Sequence, residues 1–283
     1  MDPIAIQIGP IAIRYYGLMY VLAFFVGGWL LGKEVRRKGI PLSDDERWNF
    51  LALVYVCGIL GARIYYVLFN WAYYSQDLWE IPAIWHGGLA IHGGMIGGAL
   101  AGWWYITRHR LSFLRLADAG APSVILGQAF GRFGNFMNGE THGRPTDMPW
   151  GVVFPPESPA GQEFGPAPLH PTMLYEMALN LLIFALLWSI RKRPFQDGFI
   201  FLLYLVLYSI DRSIVSSFRA EDLMIGPIRA PHAVSAGLVL LAAAYIIRKR
   251  LWRLPDRQAG PPDPRGPGRA GQAKRSSDAP QRV

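Results

Sequence analysis

The 283 residues are 52% apolar and only 17% charged, with a mean hydropathy of +0.20. A soluble domain of this length carries about 25% charged residues, so the deficit excludes an ordinary soluble enzyme and points to a membrane protein. The formal charge of +8 would suit a nucleic-acid binder, but the basic residues fall in bands between apolar segments, and no nucleic-acid partner is expected.

Before Tyr15, Asp2, Pro3, Gly9 and Pro10 stand among isoleucines, a short amphipathic lead-in expected at the outer membrane surface. Seven apolar segments follow, at 15–32, 49–70, 88–107, 113–135, 172–190, 198–218 and 232–247. Each is near the roughly 17–25 residues that a tilted spanning helix needs. The first lacks a basic region ahead of it and a small-residue cleavage site behind it, so it reads as retained. The third carries Gly93, Gly94, Gly97, Gly98 and Gly102, the small-residue spacing that lets membrane helices pack closely, and the fourth contains Pro122. The expected fold is an all-α, polytopic bundle of about seven transmembrane helices over residues 1–253.

The loops give the orientation. Lys33, Arg36, Arg37, Lys38 and Arg47 follow the first segment, Arg108, Arg110 and Arg115 the third, and Arg191, Lys192 and Arg193 the fifth. Arg248, Lys249, Arg250 and Arg253 then open the tail. The alternate loops are nearly bare: no Lys or Arg in 71–87, Arg144 alone before the fifth segment, and Arg219 with Arg229 before the seventh. The positive-inside rule puts the amino terminus outside and the carboxyl terminus in the cytoplasm. The long loop 139–170, rich in Pro and Gly and carrying Trp150 and Phe154, then lies outside as a lid or docking surface. Residues 254–283 read as a disordered basic cytoplasmic tail, either solvated or held against the anionic inner leaflet. Cys57, the lone cysteine, excludes an internal disulfide and a cysteine-based metal site.

Three arginines fall within apolar segments: Arg63, Arg132 and Arg212. A cation at bilayer depth costs roughly 2.5–3.5 kcal/mol on insertion scales, so each needs an anion or a polar cavity. Arg132 is the most informative, because Asn135, Asn138 and Glu140 follow it among Gly131, Gly134 and Gly139, which let backbone approach a ligand. Arg212 and Arg219, seven apart, share a helix face. Asp118, Glu140, Glu176 and Asp211 could pair these cations internally. His92 in its apolar segment is as readily a satisfied core histidine as a functional one, and Tyr16 as readily an interfacial aromatic. A phosphate or phospholipid head group suits such a place, since arginine offers planar, paired donors to phosphate oxygens. His92, His142 and His170 lack the spacing of a metal site, and no metal is expected.

Several motifs stand in a fixed order along the chain. The run 131–143 reads Gly131 Arg132 Phe133 Gly134 Asn135 Phe136 Met137 Asn138 Gly139 Glu140 Thr141 His142 Gly143. It is supported by Tyr15 Tyr16 Gly17 Leu18 Met19 Tyr20, by Gly61 Ala62 Arg63 Ile64, by Ile91 His92 Gly93 Gly94, and by His170 Pro171 Thr172 Met173 Leu174 Tyr175 Glu176. Together they make the chain similar to the prolipoprotein diacylglyceryl transferase family, and the likeness runs to about Arg250. It implies a cofactor-free, multi-pass enzyme of the bacterial plasma (inner) membrane. Such an enzyme moves the diacylglyceryl group of phosphatidylglycerol to the lipobox cysteine in the signal peptide of a prolipoprotein, forming a thioether and releasing glycerol phosphate, the first step of lipoprotein maturation.

By the same resemblance His92, Arg132 and Arg212 are catalytic, and Tyr16, Arg132, Asn135, Glu140, Gly143 and Arg219 bind substrate. Arg132 and Arg212 would stabilise charge developing on the departing phosphate. Either His92 accepts the thiol proton, or nearby arginines favour the thiolate directly and His92 orients substrate. Asn135 and Tyr16 would donate to the head group, Glu140 would fix an arginine or the glycerol, and Gly143 would meet a backbone requirement. His170, Tyr175 and Glu176 also match, with helix capping or core pairing accounting for them equally well. The family usually has glutamate where this chain has Ser216, which leaves Asp211 or Glu221 as substitute acids. A transporter or flippase, and a non-catalytic lipid-binding scaffold, are the rival readings.

Overall fold

Serines and glycines divide the apolar runs into helices. The computed structural model describes residues 3–9, 11–220, 224–226 and 228–253; the expected tail 254–283 and Glu221 lie outside the described residues. Strands β1 (Ile4–Ile8) and β2 (Ile11–Arg14) form an antiparallel hairpin that feeds α1 (Tyr15–Lys38), so the amphipathic lead-in is a ribbon. Gly39, at φ 62°, ends α1 in the left-handed conformation that glycine adopts without penalty. Ser43 and Glu46 then cap each other's backbone to start α2 (Asp44–Phe69). A short α3 (Trp71–Tyr74) and two single 3-10 turns lead to α4 (Ile91–Arg108).

Ser112 caps α5 (Phe113–Asn138), which continues through Pro122. The small α6 (Pro159–Phe164) lies within the 139–170 loop, followed by α7 (Thr172–Ile190) and α8 (Phe199–Ser216). A minimal hairpin, β3 (Met224–Ile225) and β4 (Ile228–Arg229), precedes α9 (Ala230–Lys249).

Among the described residues, five helices are long and apolar enough to cross a membrane: α1, α2, α7, α8 and α9. Exposed Leu182, Leu240, Leu241 and Ile247 give them the apolar outer surface that lipid requires. The chain is a multi-pass membrane protein. The third and fourth expected spans are helices too, α4 and α5, but fall outside that class. Glycines and His92 dilute α4, while Arg115, Asp118, Gln128, Arg132 and Asn135 interrupt α5.

Helix packing follows side-chain size. α4 lies on α2 through glycines: a Cβ placed on Gly61 would stand 3.0 Å from the Gly97 Cα, so the two backbones touch. α1 packs along α5, α5 along α7, and α8 along α9, with Ala121, Ile125, Ile183, Leu187, Ile200 and Tyr204 forming the apolar centre. Aromatic contacts between α1 and α2 run from Phe24 and Tyr55 to Phe24 and Trp48.

One end of the bundle is tied by buried charge. Glu34 of α1 accepts from Arg37 at 2.9 Å and from Arg191 at 3.1 Å. Asp118 of α5 accepts from Lys38 at 3.0 Å and from the backbone amides of Gly198 and Phe201, both at 2.9 Å, which starts α8 on α5. The other end carries the expected site residues.

Candidate active site

Gly139 builds the site locally. At φ 68° it ends α5 and turns the chain back, so that the Glu140 amide donates to the Asn135 carbonyl at 3.0 Å. Glu140 therefore folds over the last turn of α5. Its carboxylate accepts from the Asn135 amide at 3.1 Å and from Asn138 at 3.3 Å. Asn135 in turn accepts from Arg132 at 3.2 Å, so Arg132, Asn135 and Glu140 form one hydrogen-bonded chain.

Arg132 also meets Glu176 of α7 at 2.6 Å and faces the Tyr208 hydroxyl of α8. Glu176 is fully buried, and its second oxygen lies 3.9 Å from Arg219. This carboxylate, explained equally well as core pairing on sequence alone, stands between two of the arginines. A carboxylate in an apolar segment needs a cation, and that was its signal beside its place in the 170–176 motif. Tyr208 gave none, lying among the other aromatics of α8. It lies within electrostatic reach of Glu176, Arg132, Arg212 and Asp211, which puts Arg212 in the same cluster. Ser216, at the position where the resembling family has glutamate, is fully buried, and its carbonyl accepts from Arg229.

Tyr16 comes from α1. A Cβ on Gly134 would stand 2.8 Å from the Tyr16 ring, so the ring lies directly on α5, and its hydroxyl is 3.0 Å from that of Tyr20. His92 stands apart. It is exposed on the first turn of α4, its ring centroid 6.1 Å from that of Tyr65 on α2, and among the described residues no hydrogen bond or ion pair joins it to the arginine cluster.

Gly143 joins the loop to α8. It pairs with Arg219 as an antiparallel bridge, and its amide donates to the His170 carbonyl at 2.9 Å. Thr141 is held at φ 60°, unusual for a β-branched residue, by the Thr172 hydroxyl donating to its carbonyl at 2.7 Å. A Cβ on Gly143 would lie 2.5 Å from the His170 Cβ and 2.8 Å from the Phe218 carbonyl oxygen. Gly143→Ala is expected to cost about 1–3 kcal/mol, as forced overpacking does. A lowered melting temperature of the purified protein checks this, and an unchanged one would mean that the bridge tolerates a methyl group.

The rest of the 139–170 loop is packed rather than loose. Phe154, Ala160, Leu169 and Met173 form its own small core, and His142 meets Glu163 of α6 at 2.9 Å. Trp150 donates to the Tyr175 hydroxyl at 2.7 Å, and that hydroxyl lies 3.1 Å from the His170 Nδ1. With His170 neutral, its Nδ1 can accept the Tyr175 proton while the Trp150 indole donates to the same hydroxyl. Burial, and then Arg144, lower the His170 pKa from 6.5, in agreement. The unfolded chain thus binds the extra proton first, and this contribution to stability, present above the unfolded value, is lost as pH falls through the folded one. We expect an NMR titration to place the His170 midpoint below 6.5 and Arg144→Ala to raise it. A midpoint at or above the ordinary value would refute the relay.

Among the described residues, no group of three or more His, Cys, Asp or Glu side chains could hold a metal ion. The site is a cluster of arginines, amides and buried carboxylates where the ends of α5 and α8 meet the starts of α1 and α7 in a multi-pass membrane protein. The chain belongs to the prolipoprotein diacylglyceryl transferase family, whose sequence profile matches residues 3–248. It is similar to the phosphatidylglycerol–prolipoprotein diacylglyceryl transferase of Fusobacterium nucleatum, with 42% identity covering 88% of this chain and 98% of the relative. The enzymes of that name from Trichormus variabilis and Bacillus cereus are 41% and 40% identical, over 92% and 88% of this chain and 95% and 93% of theirs.

Proposed function

We propose that this chain transfers the diacylglyceryl group of phosphatidylglycerol to the lipobox cysteine of prolipoproteins in the bacterial inner membrane. Membership of the family supports the reaction. The observation that carries the site is the convergence of Tyr16, Arg132, Asn135, Glu140, Gly143 and Arg219, drawn from three separate parts of the sequence, at one end of the bundle. The opposite end carries Arg36, Arg37, Lys38, Arg115 and Arg191, which supports seven spans, with α4 and α5 among them, and an outside amino terminus.

In this reaction the cysteine sulfur forms a bond to the glycerol carbon that bears the phosphate, and that carbon–oxygen bond breaks. The thiol loses its proton to a base, for which His92 is our candidate. The phosphate goes from one negative charge in the lipid to two in glycerol phosphate. Arg132 and Arg212 act where that charge develops, the point at which fixed electrostatic groups contribute most. Tyr16 and Asn135 orient the head group, while Glu140 holds Asn135 and through it Arg132.

Purified protein in vesicles, given phosphatidylglycerol labelled in its diacylglyceryl part and a lipobox peptide, should yield a thioether-linked lipopeptide and an equal amount of glycerol phosphate. Movement of intact lipid between leaflets would favour a flippase instead. Binding without product would favour a scaffold.

A further inference from the structure

Tyr20 of α1 has no part in the proposed reaction, yet its hydroxyl lies 3.0 Å from that of Tyr16, and the two rings meet edge to face with centroids 4.9 Å apart. Four residues apart, they share one face of the helix. Arg132 and Glu140 lie within electrostatic reach of Tyr20, which puts it beside the same cluster. It is not a core residue, being 44% exposed. A phenol in apolar surroundings needs a partner for its hydroxyl, and Tyr16 supplies one. The Tyr16 ring is itself fixed by its contact with α5 at Gly134. That contact leaves free the direction of the hydroxyl proton, which turns to suit its partners.

We propose that Tyr20 is a positioning residue that donates to the Tyr16 oxygen and so holds the Tyr16 proton on the phosphate of the head group. This rests on the transfer reaction proposed above and on Tyr16 meeting the head group there. In the free protein either hydroxyl can be the donor. The phosphate of the lipid is an anion with acceptors only, so when Tyr16 gives its proton forward its own oxygen is left to accept, and Tyr20 is the donor at hand. Hydrogen bonds in a chain polarise one another, so a donor behind Tyr16 strengthens the bond that Tyr16 makes in front. The gain is larger where the acceptor carries more charge, and the phosphate gains negative charge as its carbon–oxygen bond breaks. Tyr20 therefore acts mainly on turnover. Its proton stays on its own oxygen, and it takes no part in making or breaking a covalent bond.

Tyr20→Phe removes the hydroxyl and keeps the ring. In vesicles with phosphatidylglycerol and a lipobox peptide, turnover per folded molecule should fall by about two- to tenfold, the range that one hydrogen bond between neutral groups supports. KM for phosphatidylglycerol should stay level, as it does when an interaction is lost mainly in the transition state. A packing role would instead lower the melting temperature and leave turnover per folded molecule where it was.

Tyr20→3-fluorotyrosine keeps the hydroxyl and makes it a stronger donor, so turnover should hold or rise. Loss in Tyr20→Phe without loss in the fluorinated variant supports the role. Wild-type turnover in Tyr20→Phe, or the same loss in both variants, overturns it while leaving the transfer reaction intact. Should Tyr20→Phe fail to accumulate in membranes, the fluorinated variant decides alone: a rise supports the role, and turnover at or below the wild-type value overturns it. Absence of product from the wild-type chain would count against the reaction itself.

Discussion

Arg132→Ala should abolish formation of the thioether product while leaving the protein in the membrane. Removing one preorganised donor from developing negative charge typically costs a factor of about 10²–10³, and Arg132 is more than a single donor. It holds Glu176 at 2.6 Å and Asn135 at 3.2 Å, so its loss also releases Asn135 from the chain that ends on Glu140. The buried Glu176 carboxylate would then lose its nearest cation, at a cost of about 3–5 kcal/mol for a broken buried pair. The double variant Arg132→Ala/Glu176→Gln separates the two effects. Stability should return with the uncharged amide, and activity should not. A double variant that regains transfer would show that Arg132 only neutralises Glu176.

The sequence was informative where chemistry is local and less so where it depends on packing. The turn at Gly139 and the residues on either side of it are contiguous, so the relation of Arg132, Asn135 and Glu140 could be anticipated from their order alone. The membrane class followed from composition, and close helix packing at the third segment followed from its glycines, which do not name α2 as the partner. The partner of Arg132 was not legible, because Glu176 lies in another helix and four acids were available. Neither was the position of His92, since nothing in its neighbours states that α4 would pack on α2. Residues 139–170 read only as a long loop, a lid or docking surface, because no long apolar run marks them. Their order comes from scattered contacts, Phe154 on Leu169 and His142 on Glu163, that periodicity cannot reveal.

Arg63 illustrates the same limit with the opposite consequence. On sequence it stands with Arg132 and Arg212 as a cation in an apolar segment that needs an anion. In the structure its five N–H donors are all taken by backbone carbonyls. Nε donates to Ile81 at 2.8 Å, Nη1 to Gly87 at 2.5 Å and Gly88 at 2.9 Å, and Nη2 to Glu80 at 2.5 Å and Ala83 at 3.3 Å. A guanidinium has no sixth donor, so Arg63 has none left for phosphate. Its work is to hold residues 80–88, a segment with only single 3-10 turns of its own, against α2. Arg63→Ala would leave those carbonyls without donors and should destabilise the protein by about 3–5 kcal/mol, comparable to breaking a buried charged contact. Arg63→Lys should fall between, because one ammonium has three donors for five acceptors. Limited proteolysis is the direct measurement: cleavage within 80–88 should accelerate strongly in Arg63→Ala and less in Arg63→Lys. Equal cleavage in all three proteins would mean that the segment is held by other contacts, and Arg63 would return to the pool of cations available to substrate.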